Sequence, residues 1–103
     1  MSKLKKKRPN RRPSHPGEIL KNLWLDELGY TQVSFAKMLS KATGSTVQES
    51  TMRTKLSEII KGKRAMSADF AVLISSVLNT TPKMWMNLQI NLDIWKAEEK
   101  LVG

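Results

Sequence analysis

Apolar residues recur at helical spacing through most of this chain, and nowhere do they alternate with period two long enough to make a strand. That feature confines the fold to packed helices. A first helix is expected from His15-Pro16-Gly17-Glu18, with Pro at its start and Glu at its positive end. Ile19, Leu20, Leu23, Trp24 and Leu28 form its inward stripe, and Gly29 is a natural stop. Thr31 caps a second helix whose buried stripe is Phe35, Ala36 and Leu39. A loop, SKATGS, follows at 40–45. Thr46-Val47-Gln48-Glu49 then reads as a capping box, so a third helix is expected from near Val47 to about Ile60. Its inward residues are Met52, Leu56, Ile59 and Ile60, and Gly62 ends it. Ser67 caps a fourth helix, with Phe70, Ala71, Ile74, Val77 and Leu78 inward. Thr81-Pro82 opens a fifth, lined on one side by Trp85, Leu88, Leu92 and Trp95. The expected class is all-α, with five helices.

The 103 residues suffice for one domain, with a modest core that needs no covalent staple. There is no cysteine, which removes disulfides and thiolate metal sites. No apolar run approaches the roughly 20 residues of a membrane span, and no apolar segment follows the basic N-terminus. A cytoplasmic protein with no membrane partner is therefore expected. The formal net charge is +9, and seven of the 18 cations lie in residues 1–15, where there is no acid. Residues 1–14 are expected to be a disordered basic arm, and 15–103 the folded domain. Three readings of the arm stay open: a minor-groove contact, a seat for an acidic protein, or a solubilising tail. Attraction to an anionic membrane lacks a supporting amphipathic helix or lipidation signal.

The helices at 31–39 and 51–60, followed at once by KGKR, have the arrangement of a helix-turn-helix that enters a DNA major groove. At about 100° per residue, Ser50, Thr54, Ser57, Glu58 and Lys61 share the outer side of the third helix, flanked by Arg53 and Lys55. Such short hydroxylic and cationic groups can reach base edges. Glu58 either accepts from a cytosine amine or orients Arg53. Gln32 is placed to bond a phosphate, and Lys61, Lys63 and Arg64 add sequence-independent phosphate contacts. The plainer alternative is a solvated amphipathic helix followed by a charged turn. The fifth helix also carries Met84, Met86, Ile90 and Ile94 on other sides, so a second copy of the chain is expected to cover it. Trp85, Leu88, Leu92 and Trp95 are the expected dimerisation residues. Catalysis has little support: the single His15 lacks a second His or Cys, and no nucleophile–base pair or phosphate-binding glycine loop is present. No cofactor and no metal site are expected.

SHPGEIL (14–20), TQVSFAKML (31–39), KLSEIIKGKRAMSADFA (55–71) and NTTPKMWMNLQINLDIWKA (79–97) resemble the HigA group of antitoxins, also described as plasmid-maintenance antidote or VapI-type proteins. The pattern of Trp85, Asn87, Leu88, Gln89, Asp93 and Trp95 is the most specific part. The resemblance implies a lambda-repressor-like five-helix domain that dimerises in part through its last helix. It further implies binding to an operator at the chain's own promoter, and neutralisation of a HigB-type toxin, an mRNA-cleaving ribonuclease of the RelE type. By position, it makes Gln32 a phosphate contact and turns Arg53, Thr54, Lys55 and Ser57 toward DNA. It gives Asn87, Gln89 and Asp93 a structural role in helix packing and at the dimer seam.

One departure stands out. Motifs of this class turn in roughly 3–4 residues, whereas here Ser40 replaces the turn glycine and about ten extra residues precede Leu56. A longer loop at 40–45 and an added helical turn at 47–50 account for them. Either this extension pushes Ser45, Thr46 and Gln48 toward DNA, or the enlarged turn obstructs docking. A stand-alone repressor with no toxin partner is the alternative function. A protein-interaction module that has lost DNA binding is the third.

Overall fold

The computed structural model describes residues 11–102, within which the chain forms five helices and no strand. The expected arm lies mostly outside the described residues, and residues 11–14 carry no helix.

Helix α1 is built of three consecutive segments, Pro16–Ile19, Leu20–Leu25 and Asp26–Leu28, the middle one wound with the wider i→i+5 pattern. Its start is assembled locally. His15 Nδ1 accepts the Gly17 N–H at 2.9 Å, and Pro16 occupies the first turn, where a missing donor costs nothing. Gly17 meets α3 so closely that a Cβ there would stand 1.9 Å from the Ile59 carbonyl oxygen. The wide middle segment changes which residues face inward. Leu20 and Leu25, five apart, are buried, while Leu23 and Leu28 are 59% and 52% exposed. The inward placement expected for those two leucines assumed a 3.6-residue period, which this helix does not keep. Gly29, at φ 74°, ends α1.

Helix α2, Gln32–Ala42, is capped reciprocally: Thr31 Oγ1 accepts from Ser34 N–H at 3.0 Å, and Ser34 Oγ from Thr31 N–H at 2.9 Å. It runs through Ser40 and Lys41, where a loop was expected. Buried Ser40 is held there by donating its hydroxyl to the Val47 carbonyl at 2.6 Å. Helix α3, Glu49–Ile60, begins later than the capping-box pattern predicts. Thr46 directs its hydroxyl to the Thr43 carbonyl at 2.9 Å instead, and Gln48 takes the cap position without a side-chain bond. The enlarged turn is therefore residues 43–48, with Gly44 and Ser45 both at positive φ.

Helix α4, Ala68–Leu78, is capped by Ser67 Oγ, which accepts from Phe70 N–H at 3.2 Å. Helix α5, Pro82–Val102, opens at the expected proline. α1 packs on α3 and α5, α2 on α3 and α4, and α4 on α5. One core results, with Phe35, Leu39, Leu56, Phe70, Ile74 and Trp85 among its buried members. Each such side chain contributes about 1.5–3 kcal/mol of transfer free energy. Met52, Leu56 and Ile59 thus press the inner face of α3 into that core and leave its other face to solvent. Among the described residues, no helix is long and apolar enough to cross a membrane.

Candidate nucleic-acid interface

The outer face of α3 is open. Ser50, Arg53 and Thr54 are exposed, Ser57 and Glu58 half-buried, and these five line one shallow polar hollow. Thr54 donates its hydroxyl to the Ser50 carbonyl at 3.2 Å, so it turns a methyl group and lone pairs outward. Thr51, Thr54, Lys55 and Arg64 line a second hollow beside the first. Lys55 belongs to the flank: it is half-buried, and its ammonium lies 5.6 Å from the centre of the Phe70 ring, within cation–π range.

The turn after α3 brings the expected cations back along the helix. Gly62, at φ 77°, reverses the chain, and the Glu58 carbonyl accepts from both Lys63 N–H (2.8 Å) and Arg64 N–H (3.2 Å). Lys61, Lys63 and Arg64 all stay exposed. Arg64 then donates through Nε and Nη2 to Glu58 Oε1, at 2.9 and 2.6 Å. Glu58 therefore partners Arg64 and not Arg53. Arg53 lies five positions earlier, about 140° around the axis, and shares the hollow with Glu58 while the carboxylate is taken by Arg64 from the turn. Gln32 stands half-buried at the first position of α2, and Gln48 is exposed just before α3; neither lines the two hollows.

Beneath the turn lies His15. Burial pushes its imidazole below the ordinary value of 6.5, and the Lys96 ammonium adds to that; Arg12 acts the same way, while the Arg64 carbonyl and Glu18 oppose them. Gln89 supports the same region from α5. It is buried, its Oε1 accepts the Met66 N–H at 2.8 Å, and its Nε2 donates to Asp93 Oδ1 at 2.9 Å. The Gln89–Asp93 part of the motif thus braces the α3–α4 connection within one chain. A seam between chains is not where Gln89 makes these bonds. The signal was available, because Gln89 sits between Trp85 and Leu92 on the inward stripe, where a polar side chain must have a partner.

The expected dimerisation residues divide. Trp85 and Leu92 are 0% exposed, so they offer no surface to a second chain. Trp85 is committed to the interior: its indole N–H donates to Thr80 Oγ1 at 2.8 Å, and its ring lies 6.1 Å from that of Trp24. Leu88 and Trp95 are half-buried. Among the described side chains, the large apolar groups that α5 exposes are Ile90, Ile94 and Leu101.

No protein-family model matches this chain. Individual relatives do. Antitoxin HigA-1 of Vibrio cholerae is 30% identical over 94 residues, covering 91% of this chain and 79% of that protein. An addiction module antidote protein of the HigA family from Coxiella burnetii has a similar structure, with a TM-score of 0.71, 31% identity and 87% of each chain covered. The Pseudomonas aeruginosa antitoxin HigA, solved with the higBA promoter, gives a TM-score of 0.69 at 29% identity over 86% of each chain. With described residues folded as helices on one core, a third helix open on its outer face and these likenesses along nearly its full described length, the chain belongs to the HigA family of antitoxins.

Proposed function

We propose that this chain is a DNA-binding antitoxin, which represses its own operon and neutralises a HigB-type mRNA-cleaving toxin. The observation that carries the reading is the uncovered outer face of α3, where Ser50, Arg53, Thr54 and Ser57 share one hollow beside a cationic turn. A rod about 10–12 Å across fits the major groove. The P. aeruginosa relative, solved with its promoter, supports DNA as the partner. In this reading Arg53, Thr54 and Ser57 meet base edges, while Gln32, Gln48, Lys61 and Lys63 meet phosphates. Lys55 steadies α3 against Phe70 and adds charge at the rim. The protein acts in the cytoplasm as a homodimer, without catalysis and without cofactor or metal. Ile90 and Ile94 of α5 supply the seam, with Leu88 and Trp95 at its edge and Trp85 and Leu92 backing it from inside. Residues 1–14 serve as a basic arm that adds to phosphate binding.

The test is binding of the chain to DNA from upstream of its own gene, across a salt series, together with co-expression of the neighbouring reading frame. Affinity should fall steeply with salt, and Arg53→Ala should cost about 1–3 kcal/mol on the specific site and little on random duplex. Equal losses on both would make Arg53 a phosphate contact. DNA binding without a co-purifying toxin would leave a stand-alone repressor. No salt-dependent DNA binding at all would leave only a protein-interaction module.

A further inference from the structure

We propose that Glu58 is a specificity-determining residue that reads a cytosine edge of duplex DNA, and that Arg64 is the residue that positions it. The inference rests on the DNA-binding reading above. Glu58 lies on the same ridge of α3 as Ser50 and Thr54, in steps of four residues, and lines the polar hollow with them. A carboxylate on a face meant for a polyanion opposes docking unless its charge is balanced. Here it is balanced from within the chain. Both Arg64 donors close on Oε1, at 2.9 and 2.6 Å, so Oε2 keeps its lone pairs for an outside donor.

The main chain sets the same geometry. Lys63 and Arg64 N–H both close on the Glu58 carbonyl, so the guanidinium returns to the carboxylate through a short, fixed loop. The pair is also reachable, with the Glu58 and Arg64 side chains 40% and 48% exposed. Of the four bases, guanine and thymine present acceptors in the major groove that repel a carboxylate. Adenine sets its N7 acceptor beside its amine, whereas cytosine offers the N4 donor alone. A cytosine amine is therefore the edge this carboxylate fits. The donors of Arg64 not used by Glu58 remain available for a neighbouring phosphate.

The experiment is enrichment of a randomised duplex pool on the full chain, compared with Glu58→Gln, Arg64→Ala and Arg64→Lys. Binding to a fixed random duplex and thermal unfolding are measured alongside. The native chain should enrich cytosine at one position of its site. Glu58→Gln should lower that preference about tenfold and shift it toward adenine, whose N6 and N7 match a glutamine amide. Its affinity for random duplex should hold or rise, since a negative charge is gone. Arg64→Ala should weaken the cytosine preference several-fold, with Arg64→Lys recovering part of it. Unchanged base preference in Glu58→Gln, with site and random duplex shifting together, would reduce Glu58 to a brace for the turn and overturn the proposal. If the native chain enriches no sequence, the DNA-binding reading itself falls and takes this inference with it.

Discussion

At its C-terminal end α3 is gripped by parts of the chain distant in sequence. Gly17 of α1 lies against the Ile59 backbone, His15 lies under Gly62, and Gln89 of α5 bonds Met66 N–H just beyond. At its N-terminal end, beside the apolar anchor of Met52, the polar holds are local hydroxyls. Ser40 bonds the Val47 carbonyl, Thr43 the Ser40 carbonyl and Thr46 the Thr43 carbonyl, all within residues 40–47. The difference teaches how one helix can be both fixed and adjustable. A grip made by α1 and α5 fails only if the core opens, whereas a chain of hydroxyl bonds can give without disturbing the rest. The adjustable end is the one that leads an α-helix into a groove.

The largest effect expected from this contrast comes at Gly17. A Cβ there meets the Ile59 oxygen, the Ile59 carbonyl carbon and Ile60 Cα, all backbone atoms that no rotamer change can move. Gly17→Ala should force α1 off α3 and cost about 3 kcal/mol, the upper end of overpacking losses. Denaturant unfolding measures it, and a near-neutral result would show that α1 does not fix this end.

Gln89→Leu comes next. It leaves the buried Met66 N–H without its acceptor, at a cost of about 1–3 kcal/mol. The loss should appear as lower global stability with a parallel loss of DNA binding, because the turn bearing Lys63 and Arg64 is loosened. A stability loss with unchanged DNA affinity would separate the brace from the reading face.

Ser40→Ala tests the other end. Removing the 2.6 Å bond to Val47 costs about 1 kcal/mol, partly offset by the better helix propensity of alanine. Amide exchange should quicken at residues 43–48 and the first turn of α3, while Ile59 and Met66 keep their protection. Faster exchange at both ends would erase the distinction between them.

The same contrast marks what could be read from the chain alone. Thr31, Ser67, Gly29 and Pro82 were legible because caps and stops act within one turn of helix, and so were the five helices. Thr46 misled because its hydroxyl donates to the Thr43 carbonyl, within its own turn, instead of accepting from the helix amide that a capping box supplies. Leu23 and Leu28 misled because nothing in LKNLWL announces an i→i+5 winding. Ser50, Arg53, Thr54 and Ser57 were brought together as helical spacing predicts, whereas the partner of Glu58 depended on the path of the turn. Trp85 and Leu92 could not be told from seam residues, since an apolar helix side reads alike whether its cover is the same chain or another.

The smallest effect is a slope with pH and not a step, and it belongs to the fixed end. His15 Nδ1 accepts the Gly17 N–H, so the neutral ring caps α1, and protonating that nitrogen abolishes the bond. Burial, with the Lys96 ammonium, holds the folded-state value below 6.5. The unfolded chain therefore binds the proton more readily, and stability rises with pH between the two values. The contribution is fully present above the ordinary value and is lost as pH falls from there through the lowered one. His15→Asn keeps a capping oxygen but does not titrate. Unfolding midpoints on either side of the ordinary histidine value should thus differ more in the native chain than in His15→Asn. Equal slopes in the two proteins would mean that the acid sensitivity arises elsewhere, and that His15 contributes only its shape to the grip on α3.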